Sequence, residues 1–119
     1  MREGAGVVEA VCEMRQRTGA VVAAILARDG TVLSADVPPG VSAETFAILC
    51  ATIFGAAGTL GSELRRGRPQ RGFVDGPETT TALLAAGPEA ILALTSDRSV
   101  PRAEARAHAE GLTRLLRAT

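Results

Sequence analysis

From Thr45 to Ser62 the chain runs 18 residues without a formal charge, between Glu44 and Glu63. A surface helix sets charges opposite its apolar stripe, whereas a helix that is apolar or small all round is buried all round. Pro38-Pro39-Gly40 breaks the chain ahead of this stretch, Ser42 can act as an N-cap, and Glu44 in the first turn suits the helix dipole. The spacing predicts a helix to about Arg66, with Gly67 at its C′ position and Arg65 and Arg66 in its last turn. At about 100° per residue, Phe46, Leu49, Ile53, Ala57, Leu60 and Leu64 fall on one stripe, expected to pack on a sheet. Nearly opposite lie Ala47, Ile48, Ala51, Gly55, Gly58 and Ser62, small and uncharged. Each helix-interior Gly costs about 0.8–1.0 kcal/mol against Ala, so Gly55 and Gly58 imply a close neighbour. Other helices are needed for the far sheet face, so these six residues are the expected dimer interface, most simply with the same helix across a two-fold axis.

The rest of the chain supplies that sheet. Residues 3 to 16 read as a helix with Val7, Val11 and Met14 on one face, ended by Thr18-Gly19. Ala20 to Ala27 and Thr31 to Asp36 read as strands joined through Asp29-Gly30, a hairpin signal. The first has no polar residue on either face and is expected in the sheet centre. Gly72–Asp75, Thr79–Ala86 and Ala90–Ser96 are three more strands, divided by Gly76-Pro77 and Gly87-Pro88. Ser99 and Pro101 can open a last helix with Ala105, Ala109, Leu112 and Leu116 on its apolar face. The expected order is α-β-β-α-β-β-β-α. This is one α+β domain over residues 1–119, a five-stranded antiparallel sheet with helices on both faces.

Composition excludes several chemistries. All 13 cations are Arg, which removes Walker A loops and Schiff-base chemistry. His108 is the only His, and Cys12 and Cys50 form no CxxC pair, so a metal site is not expected and two buried thiols in a reducing cytoplasm are. Thirteen acidic residues balance the cations, which argues against nucleic acid as a partner. Thr45 to Ser62 holds three Gly with Ser and Thr, a poor membrane span. Gly55 to Gly61 (GAAGTLG) has neither the spacing nor the following helix of a dinucleotide fingerprint. No catalytic set and no cofactor are expected.

Arg65, Arg66, Arg68 and Arg71 form the one dense basic cluster. They read either as a docking patch for an acidic partner surface or an arginine finger, or as dipole compensation plus solvated charge. His108 lacks triad partners and reads as a partly buried or surface residue. Asp29, Asp36, Asp75 and Asp97 fall at strand ends and turns, where Asx hydrogen bonds account for them.

The ordered combination GAVVAAILARDGTVLSAD (19–36), ETFAILCATIFGAAGTLGSELRRGRP (44–69), VDG (74–76), ALLAAGP (82–88) and AILALTSD (90–97) resembles the roadblock/dynein light chain family. The resemblance implies a roadblock-like, profilin-like sandwich that dimerises, with itself or a paralogue, by pairing central helices and edge strands. It also implies a non-catalytic regulator or scaffold for a Ras-like small GTPase, some family members being GTPase-activating partners. A structural subunit without GTPase regulation is the alternative reading. A small-molecule sensory module is a third, disfavoured because AVVAAILA and ALLAA put no polar groups inside.

Overall fold

The computed structural model describes residues 2–97 together with 103, 104, 107, 108, 110, 111 and 114. Its elements are α1 (Arg2–Thr18), β1 (Val22–Ala27), β2 (Val32–Asp36), α2 (Ala43–Glu63), β3 (Arg71–Asp75), β4 (Thr79–Ala85) and β5 (Ala90–Asp97). The described positions from 103 to 114 are helical; Ser99, Pro101, Ala105, Ala109, Leu112 and Leu116 lie outside the described residues, as does the side chain of Val7.

The five strands form one antiparallel sheet in the order β2-β1-β5-β4-β3. β1 and β5 are flanked on both sides, as the all-apolar run predicts, and each presents alternate residues to two cores. On one face Ala23, Ile25, Ala82, Leu84, Leu92 and Leu94 pack with Val11 of α1, and Met14 closes on them. On the other, Ala24, Leu26, Leu83, Ala85, Ile91 and Ala93 pack with Ala47, Cys50, Ala51 and Phe54 of α2.

Local chemistry fixes the connections. Gly19 at φ 68° ends α1, and Thr18 Oγ1 donates to the Met14 carbonyl at 2.7 Å. Arg15 ties this end to the outer strand, its Nη1 2.9 Å from Asp36 Oδ1 and its Nε 3.3 Å from the Ala20 carbonyl. In the β1–β2 turn Gly30 sits at φ 96°, and Asp29 Oδ1 accepts from the Thr31 amide at 2.9 Å. That hydrogen bond, to a charged acceptor, holds the Asp29 carboxyl below its ordinary range. Pairing slips between Ile25 and Leu26, so Leu33 is bulged outward and 54% exposed. Asp75 accepts from Thr80 Oγ1 at 2.8 Å, whereas Asp36 pairs with a guanidinium and not with its own turn.

α2 begins as expected: Ser42 Oγ accepts from the Thr45 amide at 3.2 Å. Its end differs from expectation. The helix stops at Glu63 with Leu64 as C-cap, and Arg65, at φ 56°, takes the left-handed C′ position assigned from sequence to Gly67. The Arg65 amide donates to the Ser62 carbonyl at 3.0 Å and the Arg66 amide to the Gly61 carbonyl at 3.1 Å, the paired bonds of a Schellman motif. Gly67, at φ 85°, serves the loop beyond.

A candidate interface on α2 and the β3 edge

The helix is turned the other way from the expectation. Ala47, Cys50, Ala51 and Phe54 are buried on the sheet. Of the stripe predicted to pack there, only Phe46 and Ala57 are half-buried; Leu49 is 57%, Ile53 44%, Leu60 60% and Leu64 59% exposed. The sheet face under α2 mixes Ala24, Ala85 and Ala93 with Leu26, Leu83 and Ile91, and α2 sets Ala47, Cys50, Ala51 and one large ring, Phe54, against it, so small helix side chains interleave with the large strand ones.

The six expected interface residues therefore divide. Ala47 and Ala51 are buried against the chain's own sheet, so they do not face a partner. Gly58 is half-buried beside Ala51 and Phe54 in a side cavity. Ile48, Gly55 and Ser62 are exposed, but Gly55 and Ser62 lie away from the outward Leu/Ile stripe. Nor do Gly55 and Gly58 answer a close neighbour within the described chain: a Cβ on either would meet nothing within 4 Å. Cys50 lies beneath the helix and not at an outer contact; burial pushes its thiol up to about 11.

Among the described residues, the sheet has an unpartnered edge at β3. β3 pairs with β4 on one side and, among the described residues, no strand lies along its other side. Gly72 and Val74 stand opposite Leu83 and Thr81 in the register and share the face that α2 covers elsewhere. α2 lies over β1 and β2, toward the opposite end of the sheet from β3, and Val74 is 42% exposed. The exposed Leu/Ile stripe of α2 and the open β3 edge are two separate unpartnered features among the described residues. By length and composition α2 could also cross a membrane; in the structure it lies across the sheet.

The basic cluster is not one patch. Arg65, Arg66 and Arg68 follow α2, all three exposed and Arg68 also lining the side cavity, while Arg71 Nη1 pairs with Glu110 Oε2 at 2.8 Å. His108 lines a groove with Glu13, Met14 and Arg17 of α1. Among the described residues, no three His, Cys, Asp or Glu side chains are grouped to hold a metal.

Sequence reasoning missed Leu49, Ile53, Leu60, Leu64 and Val74 as surface residues. The uncharged run from Thr45 to Ser62 carries no signal for which face of the helix turns inward.

No curated protein matches the sequence. Among solved structures, an MglB with a tetrameric arrangement is 26% identical, with TM-score 0.88, over 98% of this chain and 88% of that one. The gliding protein MglB of Thermus thermophilus is 25% identical, TM-score 0.85, over 98% and 89%. A Roadblock/LC7 domain from Streptomyces avermitilis shares the fold at 21% identity, TM-score 0.85, over 93% and 94%. The Roadblock/LC7 domain pattern matches residues 7–96, and the chain, with its five-stranded antiparallel sheet between helices, belongs to that family.

Proposed function

We propose that this protein is a non-catalytic regulator or adaptor that self-associates through α2 and β3 and acts on a Ras-like small GTPase. The observation that carries the reading is the outward stripe Leu49, Ile53, Leu60 and Leu64 on α2, with the open β3 edge elsewhere on the sheet. Exposed large apolar side chains along one helix face mark an interface, and an open strand edge invites another strand. A second copy fits both features at once: two β3 edges pair and two α2 stripes close over the shared face. Membership of the Roadblock/LC7 family supports this reading, as does similarity to two MglB structures over almost the whole chain. GTP and Mg²⁺ belong to the GTPase, and Arg65, Arg66 and Arg68 supply a basic rim for an acidic partner surface. The chain works in the cytoplasm, where two free thiols stay reduced.

The test is affinity capture from the native host with the tagged protein, in a GTP analogue and in GDP, read by mass spectrometry. Enrichment of a small GTPase with one nucleotide is the expected result, and purified GTPase then shows whether hydrolysis accelerates. A nucleotide-independent assembly lacking any GTPase would replace this reading with that of a structural subunit.

A further inference from the structure

The two edges of the sheet are not alike. β3 meets β4 in one unbroken register, from Arg71 opposite Leu84 to Asp75 opposite Thr80, and its charges sit only at its two ends. β2, five residues long at the opposite edge, meets β1 with a break. Ser34 stands opposite Ile25 and Val32 opposite Leu26, so one step along β1 takes two along β2, and Leu33 is the extra residue. The break shows in the packing. Residues two apart in a regular strand share a face. Val32 nevertheless packs with Leu26 on the α2 side, while Ser34 stands opposite Ile25 of the α1 side. At the end of the strand Asp36 holds Arg15 at 2.9 Å, which sets a half-buried ion pair beside this edge. Both α1 and α2 pack against β2.

We infer that β2 is a closed edge, at which the Leu33 bulge and the Arg15–Asp36 pair stop strand addition, so that a sheet extended from its other edge ends after a second copy of this chain. A regular edge strand offers its outward amides and carbonyls at a spacing that another strand can match. A bulge twists that row away, and a charge beside it must lose water before a strand can cover it. β2 carries both devices within five residues, and β3 carries no register shift. With both edges competent, every added chain would present a fresh edge and the assembly would have no last member. With one competent edge, two copies consume it and growth stops. The limit of two copies rests on the self-association proposed above; the closure of β2 does not. Leu33 can also be removed without turning the strand over. Its deletion makes Val32 and Ser34 consecutive, and a regular strand places consecutive residues on opposite faces, where these two already stand.

Sedimentation equilibrium of the full-length chain tests this, carried to about 1 mM, where weak contacts are populated. The unaltered chain is expected to rise to two chain masses and stay there. The chain lacking Leu33, with its circular dichroism native, is expected to pass two masses and keep growing with concentration. The same deletion is then made with Leu49→Glu and Leu60→Glu, which put charge on the outward stripe of α2. In that background the chain retaining Leu33 should stay monomeric, and its loss should tighten self-association at least about tenfold. This arm separates the two readings. An unaltered chain that stays monomeric removes the α2 and β3 contact, while the deletion in the glutamate background still reports on β2. A natively folded deletion that sediments like its parent in both backgrounds would overturn the closed edge. So would an unaltered chain that grows beyond two copies. If the deletion loses its native spectrum, Arg15→Met with Asp36→Val, which removes the ion pair, replaces it under the same criteria.

Discussion

A Cβ placed on Gly61 would overlap the carbonyl oxygen of Gly67. The last turn of α2 and the loop that leaves it are pressed backbone to backbone, which fixes where Arg65 to Pro69 run. Of the three glycines in the helix, this is the one that close approach requires; Gly55 and Gly58 face open space. Gly61→Ala must displace the loop, and overpacking of this kind costs about 1–3 kcal/mol. Gly55→Ala meets no atom and gains about 0.8–1.0 kcal/mol of helix propensity. Urea unfolding of the two variants should therefore move in opposite directions. A stabilised Gly61→Ala would show that the loop does not rest on the helix.

Arg65 occupies the left-handed region, where an L side chain crowds its own backbone. Its amide and that of Arg66 nevertheless complete the Schellman bonds, so the conformation is held by the cap. Arg65→Gly should raise stability by about 0.5–1 kcal/mol, the relief of strain being partly offset by the freer unfolded chain. Arg66→Gly should not. Equal effects in denaturant melts would mean that the cap is not formed in solution.

How far the chain could be read from its residues depended on what each signal measures. Asp29-Gly30 and Ser42 act within a few residues, and the structure places both in the roles their chemistry predicts. The polar-free run of β1 reports two-sided burial, and β1 lies inside the sheet, one strand from its centre β5. α2 was different, because every position from Thr45 to Ser62 is uncharged and its periodicity does not say which side is in. That choice is made by packing against Ala24, Leu26, Leu83, Ala85, Ile91 and Ala93, on strands outside the helix. The reversed stripe and the redistributed interface residues both follow from this one ambiguity.

The reversal separates two kinds of substitution on one helix. Leu49→Glu with Leu60→Glu places charge on the outward stripe, so the circular dichroism spectrum should stay native while sedimentation shifts from dimer to monomer. Ala51→Leu drives bulk into the helix–sheet contact and should cost about 1–3 kcal/mol. A double glutamate variant that still sediments as a dimer of unchanged affinity would remove α2 from the interface.

Cys50 gives a pH signature with little competing titration. Buried under α2, its thiol titrates near 11 in place of the ordinary 9.0, because burial disfavours the thiolate. Below pH 9 it is protonated whether the chain is folded or not, and its burial carries no pH-dependent cost. Above 9 the unfolded chain releases the proton first, so stability falls with rising pH until the folded thiol also ionises near 11. Lys and Tyr, which titrate in that window in most proteins, are both absent from this chain. In a Cys12→Ala background the decline between pH 9 and 11 should therefore belong to Cys50 and vanish when Cys50→Ala is added. Iodoacetamide at about pH 8 should correspondingly modify the half-buried Cys12 of the native protein well before Cys50, with the order lost in denaturant. Rapid native alkylation of Cys50, or a pH profile unchanged by its removal, would mean that α2 does not seal this face of the sheet.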